Sequence, residues 1–253
     1  MAAVTFDTLQ NLARSYLQSL PSQNQSTRSQ ILNLSVQIGT LSGSFFTNAP
    51  PDPTREVLTN LEEECFLESS HPFKAHPLIQ SAMSNVLWAI CLTGSSCNLD
   101  LRSCILKKVQ LNARKYPVDL CKGKAGKYTK YSKETGITKD EGQSTIKEGV
   151  LDDQLQSIDD ISAMINKFST DRLWDRFHTP RNLILALNGE FGELAEIFQW
   201  KGDGKCVLTD DELDKVGQEL ADVAIYLLRL SHVCSTCVGK LAMAKANEAI
   251  FGV

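Results

Sequence analysis

The sequence has little of what would place it in a membrane or on a nucleic acid. Its formal net charge is −4, so it lacks the basic field that nucleic-acid-binding domains carry. No apolar run reaches the ~18 residues that span a bilayer, since the longest candidate, 221–230, contains Asp222 and Arg229. Residues 1–20 lack the basic start and apolar centre of a secretory signal. We therefore expect a cytosolic protein with no membrane contact and no stable nucleic-acid partner.

Histidine is also scarce, with 4 residues in a chain of 253. A di-iron carboxylate bundle needs Glu-x-x-His on two helices, and only Glu68–His71 has that spacing, directly before Pro72. This placement disfavours a di-iron centre. The pair Cys234-x-x-Cys237 has no second cysteine pair at the spacing of a zinc ribbon, so we expect free thiols there.

The chain does contain helical periodicity, which is clearest in its second half. Apolar residues recur there at intervals of three and four, the stripe of an amphipathic helix. One stripe is Ile184, Leu187, Phe191, Leu194 and Phe198, and the other is Val216, Leu220, Val223, Leu227 and Leu230. Shorter helices are predicted at 158–168 and 237–250, with a glycine-containing loop at 201–210. Four helices joined by short loops predict an antiparallel bundle.

The first half repeats this plan. Residues 39–41 match 192–194, residues 6–9 match 158–161, and residues 83–86 match 220–223. The order of elements is kept, so we interpret the pattern as an internal duplication. The predicted domains are a first half (1–117), a Lys- and Gly-rich linker (118–156) and a second half (157–253).

Two pairs of carboxylates flank the apolar stripes of the second half. Glu190 and Glu193 are three residues apart, as are Glu219 and Asp222, so each pair lies on one helix face. Four converging carboxylates repel one another, and a hard divalent cation with oxygen ligands removes that repulsion. The alternative is that these acids lie on solvated helix faces, where such spacing is common. The pattern indicates a site for Mg²⁺, with Mn²⁺ as the alternative.

The residues around these acids resemble a known family. The stretches Phe177–Gly202 (FHTPRNLILALNGEFGELAEIFQWKG) and Gln218–Ser231 (QELADVAIYLLRLS) are similar to the all-α, MazG-like nucleoside triphosphate pyrophosphatases, and look most like the dCTP pyrophosphatases among them. The resemblance implies two tandem four-helix MazG-like bundles that pack as a pseudo-dimer within one chain. It also implies Mg²⁺-dependent cleavage between the α- and β-phosphates of a nucleoside triphosphate.

The resemblance also assigns residues. It implies that Glu190, Glu193, Glu219 and Asp222 are the metal ligands. It implies nucleotide contacts for Trp174, His178, Trp200 and Tyr226, although core packing is the alternative for each aromatic side chain and a surface position is the alternative for His178. The two tryptophan rings offer flat faces on which a pyrimidine can stack.

The first half departs from the family pattern at the metal site. Gln37, Thr40, Ala82 and Asn85 occupy the positions that match the four acids, so we expect no catalytic metal there. The first half instead keeps the family's last helix in Leu106–Pro117 (LKKVQLNARKYP), where Lys108 and Asn112 have the spacing of the phosphate-facing pair. In the second half a gapless alignment puts Lys245 at the lysine position and Ala249 where the asparagine is expected, and Asn247 fits that position only if two residues are deleted.

This complementary loss suggests that the two halves share one site. In that hypothesis the second half supplies the acids while the first half contributes Lys108 and Asn112. The alternative is that the first half is a scaffold that covers an apolar face. The leading function is hydrolysis of dCTP or a modified dCTP to the monophosphate and pyrophosphate, in nucleotide-pool sanitation, by a protein that forms homo-oligomers through its helical faces. A catalytically weak or inactive nucleotide-binding regulator is the alternative.

Overall fold

The computed structural model describes residues 3–49, 75–124, 155–202 and 207–252. Helices supply the regular structure in these ranges and no strand occurs there, so the predicted all-α class is confirmed. The helices are α1 (Phe6–Ser19), α2 (Thr27–Asn48), α3 (Pro77–Ser96), α4 (Leu101–Lys115), α5 (Val118–Cys121), α6 (Ile158–Asp171), α7 (Pro180–Glu196), α8 (Asp210–Val233) and α9 (Val238–Phe251).

Local side-chain capping fixes where the second-half helices begin. Ser157 with Asp160 forms a capping box at the start of α6, and Thr209 with Glu212 forms one at the start of α8. Each box satisfies backbone groups that a helix end leaves without a partner. Pro180 occupies the first position of α7, where its missing N–H removes no helical hydrogen bond. Because such signals are short-range, the predicted start of α6 agrees with the observed one at Ile158.

Two long helices, α3 and α8, form the centre of the fold. In the first half α1 and α2 pack on α3, and in the second half α6 and α7 pack on α8. The two central helices also contact each other. Their buried side chains, including Leu87 on α3 and Leu227 on α8, belong to one continuous hydrophobic core. Burying this shared apolar surface is what holds the two halves together.

Each half gives its last helix to the other half. Helix α4 packs on α8, while α9 packs on α3 and α1. Backbone hydrogen bonds also link the two halves, from the Ile158 N–H to the Val4 carbonyl at 2.9 Å and from the Ala75 N–H to the Cys234 carbonyl at 3.3 Å. The pseudo-dimeric pairing of two repeats and their boundaries stay predictions, but the crossed packing of α4 and α9 is a direct observation.

The beginning of the predicted linker is structured. Residues 118–124 contain α5, and Cys121 is buried. The Gly123 N–H donates to the Arg172 carbonyl at 2.8 Å, so this segment is attached to the second half. Residues 125–154 of the predicted linker, the Glu68–His71 spacing and part of the predicted loop at 201–210 lie outside the described residues.

Several large apolar side chains remain on the surface. Leu32, Val36 and Phe46 on α2 and Leu185 on α7 are all exposed. Such side chains suit contact with a second copy of the chain, and homo-oligomerisation stays a prediction. Among the described residues no single helix is long and apolar enough to cross a membrane; α8 and α9, bent by 113°, meet that length and composition only as a pair.

The packing at Gly94, near the end of α3, gives a stability prediction. A Cβ atom there would lie 2.8 Å from two side-chain carbon atoms of the fully buried Leu101. We expect Gly94→Ala to lower the free energy of unfolding by about 1–2 kcal/mol, because overpacking exceeds the gain in helix propensity.

The matched control is Gly39→Ala on α2, where a Cβ would meet no atom within 4 Å. This variant should raise the free energy of unfolding by about 0.5–1 kcal/mol, since glycine is a poor helix former. Urea denaturation measures both changes. Equal stability of the two variants would show that the close approach of Leu101 to Gly94 is absent.

Candidate functional site

The predicted metal carboxylates meet where α7 and α8 pack side by side. Glu190 and Glu193 lie one turn apart on α7 and face Glu219 on α8. One carboxylate oxygen from each of these three residues lies within 4.8 Å of the other two. The i,i+3 spacing that motivated the prediction therefore places three of the four acids together.

The fourth acid, Asp222, is held differently. Its Oδ2 atom lies 2.7 Å from the Lys108 ammonium nitrogen, and both side chains are largely buried. The Asn112 side chain also donates a hydrogen bond to Asp222. Both partners come from α4 in the first half. The acidic site is consequently built from both halves of the chain, with Asp222 as the point where they meet.

Burial and like charges make the acidic site electrostatically strained. The pKa of Glu190 is raised to about 7 by burial, and further by the charges of Asp222, Glu193 and Glu219. Burial also raises the pKa values of Glu219 and Asp222, although Lys108 opposes both shifts. For Lys108 burial lowers the pKa, but the hydrogen bond and charge of Asp222 outweigh it, so the net direction is upward. One lysine leaves an excess of negative charge, which fits a divalent cation bound through oxygen ligands.

A basic stripe on α4 faces the acids and extends beyond the predicted pair. Lys108, Asn112 and Lys115 are spaced i, i+4 and i+7, so they follow one helix face. The charge of Lys115 acts on both Glu219 and Asp222. Lys115 was not among the predicted site residues. Its position three residues after Asn112, on the face that carries Lys108, is the sequence signal that could have indicated it.

One predicted aromatic residue, Tyr226, adjoins the acids, and a second, Trp174, packs against Tyr116. Burial raises the pKa of Tyr226, as do the charges of Glu190 and Asp222, so its hydroxyl stays protonated beside them. The ring of Trp174 packs edge-on against Tyr116 at 5.3 Å between centroids, and its indole N–H donates to the Cys121 carbonyl at 3.3 Å. Trp174 is thus fixed by packing as well as being a candidate for base stacking.

His178 belongs to a polar network around Arg229. The Arg229 guanidinium donates from Nε to Nδ1 of His178 at 3.2 Å and forms an ion pair with Asp175. Burial, together with the charge of Arg229, lowers the pKa of His178 to about 4, so the imidazole is neutral at pH 7. His178 can donate to a nucleotide only as a neutral N–H group.

Two other predicted contact residues lie apart from the acids. Trp200 is 89% exposed just beyond the end of α7. Lys245 on α9 forms an ion pair with Glu248 at 2.9 Å and lines a cleft of the first half. The exchange of the last helices explains this position, because α9 leaves the half to which Lys245 belongs. The predicted nucleotide-contact roles of these side chains, and those of Trp174, His178 and Tyr226, stay predictions.

Part of the chain is similar to known enzymes. Over 94 residues it is 46% identical to dCTP pyrophosphatase 1 of Homo sapiens and 41% identical to dCTP pyrophosphatase 1 of Rattus norvegicus. This similarity confirms the resemblance over about a third of the chain. Each alignment covers 36% of this chain and 55% of the relative, so the chain spans little more than half the length of the curated relatives it matches. No model of a known protein family matches the chain.

The raised pKa of Glu190 predicts a pH-dependent stability. A carboxyl group whose pKa rises on folding stabilises the fold only while it is protonated, so its contribution is lost as pH rises from 4.5 to about 7. In EDTA, the melting temperature of the wild type should fall across that interval, and Glu190→Gln should reduce the fall.

Glu196→Gln is the matched control, since Glu196 is an exposed acid near the end of the same helix. The melting temperature of Glu196→Gln should change with pH in the same way as that of the wild type. Parallel curves for the wild type and Glu190→Gln would contradict the strained state of the acidic site.

Proposed function

We propose that this chain hydrolyses nucleoside triphosphates to the monophosphate and pyrophosphate with the help of Mg²⁺. The observation that supports this most directly is the convergence of Glu190, Glu193 and Glu219 within 4.8 Å beside the buried Asp222. Similarity to dCTP pyrophosphatase 1 supports a nucleotide as the substrate and favours dCTP or a modified dCTP. The cytosolic location expected from the sequence and a role in nucleotide-pool sanitation belong to the same proposal.

The carboxylates would hold the cation, with Mn²⁺ as an alternative to Mg²⁺. When bound, the cation would supply Lewis-acid chemistry, and Glu190, Glu193 and Glu219 would be the residues that hold it. Burial raises the pKa of both Glu190 and Glu219, so a bound cation would stabilise the ionised form of each.

The basic face of α4 would bind the triphosphate. Lys108 and Lys115 carry positive charge next to the acids, and Asn112 adds an amide donor between them on the same face. A triphosphate carries more negative charge than one divalent cation neutralises, so lysine side chains complement the metal. Lys108 would hold Asp222 in the absence of substrate and contact phosphate oxygens in its presence.

A non-catalytic nucleotide-binding protein is the second candidate. The ion pair between Lys108 and Asp222 favours it, because a protein cation already neutralises one of the four predicted metal ligands. The loss of the phosphate-facing asparagine at Ala249 in α9 points the same way.

A turnover assay tests the proposal. The protein is incubated with Mg²⁺ and each of the four deoxynucleoside triphosphates, and the products are separated by ion-exchange chromatography. We expect equal amounts of monophosphate and pyrophosphate, with dCTP turned over fastest.

Glu193→Gln should reduce kcat by about a hundredfold or more, since one charged group of the electrostatic site is lost. The control Glu196→Gln should keep wild-type turnover, because Glu196 is exposed and lies outside the carboxylate cluster. Nucleotide binding without release of pyrophosphate would support the second candidate instead.

The contribution of α4 has its own test. The double variant Lys108→Ala, Asn112→Ala should raise KM for the triphosphate about tenfold or more while remaining folded, because charge-assisted hydrogen bonds to phosphate are lost.

Lys107→Ala is the matched control for this double variant. Lys107 is the neighbouring lysine, but it is exposed and pairs with Asp214 at 2.6 Å, away from the acidic cluster. Its KM should match the wild type. Unchanged kinetics in the double variant would leave the first half as a scaffold only.

A further inference from the structure

A second cleft lies in the first half and has no assigned role. Its volume is about 440 Å³, within the usual range for small-molecule sites. It is lined by side chains from α1, α2, α3 and α9, including Tyr16, Asn33, Gln37, Asn85, Trp88 and Lys245. Among the described residues that line it, Lys245 is the only charged one.

This cleft is the counterpart of the acidic site without its carboxylates. Gln37 and Asn85 stand at the positions that match Glu190 and Asp222, and Lys245 matches Lys108 in sequence. The helix exchange brings Lys245 to this cleft in the same way that it brings Lys108 to the acids. Neutral amides do not supply the charge that holds Mg²⁺, so a ligand here binds without a divalent cation.

An unsatisfied acceptor lies in the wall of the cleft. The side-chain oxygen Oδ1 of Asn85 is buried and has no hydrogen-bond partner among the described residues. At the acidic site, Asp222 is satisfied by Lys108 and Asn112. Around Asn85 the matching donors are missing, since Ala249 replaces the asparagine and Lys245 is paired with Glu248. A buried acceptor without a partner is costly, so the Asn85 amide gains a hydrogen bond when it turns this oxygen toward a donor in the cleft.

The remaining walls indicate what kind of ligand carries that donor. Trp88 is buried in the core, and the half-buried Tyr16 ring, whose centroid lies 5.9 Å from that of Trp88, is the aromatic group that faces a flat ring in the cleft. The amides of Asn33 and Gln37 are joined by a 3.3 Å hydrogen bond and present further donors and acceptors. Aromatic surface combined with amides is the chemistry that recognises a nucleobase, and one lysine suits one phosphate group rather than three.

We propose that this cleft binds a nucleoside or nucleoside monophosphate without a metal, through the amides of Asn33, Gln37 and Asn85 and the ring of Tyr16. The site is separate from the acidic cluster, and its occupancy does not depend on whether that cluster hydrolyses anything. Because Lys245 reaches the cleft from the second half, a ligand bound there contacts both halves at once.

Isothermal titration calorimetry in EDTA tests this site directly. The ligands are the four deoxynucleosides and their 5′-monophosphates, titrated into the full chain. We expect at least one of them to bind with one site per chain. Lys245→Met should weaken the monophosphate about tenfold or more while leaving the nucleoside unchanged, because only the phosphate contact is lost.

Asn85→Leu should abolish binding of both ligand types without lowering the melting temperature, since an apolar side chain of similar size removes the unsatisfied acceptor. If Asn85→Leu does not fold, Gln37→Leu on α2 takes its place in the titration, and we expect it to lose binding of both ligand types. Glu190→Gln at the acidic cluster should bind as the wild type does. No binding in EDTA, or binding that Glu190→Gln removes and the cleft variants retain, would overturn the proposal.

Discussion

The ion pair between Lys108 and Asp222 is the interaction on which the site depends. Its two charges are largely buried, so each requires the other to offset the loss of hydration. Lys108 reaches Asp222 only because α4 leaves its own half and packs on α8. The position of one helix therefore decides whether the acidic cluster contains a balancing charge, and it links the chemistry of the second half to the folding of the first.

The same exchange creates a second cleft whose properties follow from a few side chains. Each central helix receives the last helix of the other half, and each such helix brings a lysine to a cleft. Where the walls carry Glu190, Glu193 and Glu219, the cleft is a candidate for a cation and a triphosphate. Where they carry Gln37 and Asn85, the charge is gone but the space remains. The two sites therefore suit different ligands, because one carries carboxylates and the other carries amides at the matching positions.

The sequence predicted the features that depend on residues close together in the chain, namely the helices and the grouping of the acids. The apolar stripes of α7 and α8 located both helices, and the i,i+3 spacing grouped the acids, because helix periodicity is a local property. Helix periodicity does not indicate where α4 and α9 pack, since packing between distant segments leaves no local signature. The contribution of α4 to the acids was predicted only from the complementary loss of residues in the two halves, and nothing in the sequence indicated that Lys245 lines the cleft of the first half. Residues 118–124 were expected to be linker, but burial of Cys121 depends on contacts that only the folded chain supplies.

The most direct test of the account is anomalous diffraction from crystals containing Mn²⁺ and a non-hydrolysable dCTP analogue. We expect manganese between Glu190, Glu193 and Glu219, with the ammonium group of Lys108 within hydrogen-bonding distance of a phosphate oxygen. We expect no manganese peak between Gln37 and Asn85. Manganese in the cleft of the first half, or its absence from the acidic cluster of a nucleotide-bound crystal, would contradict the account.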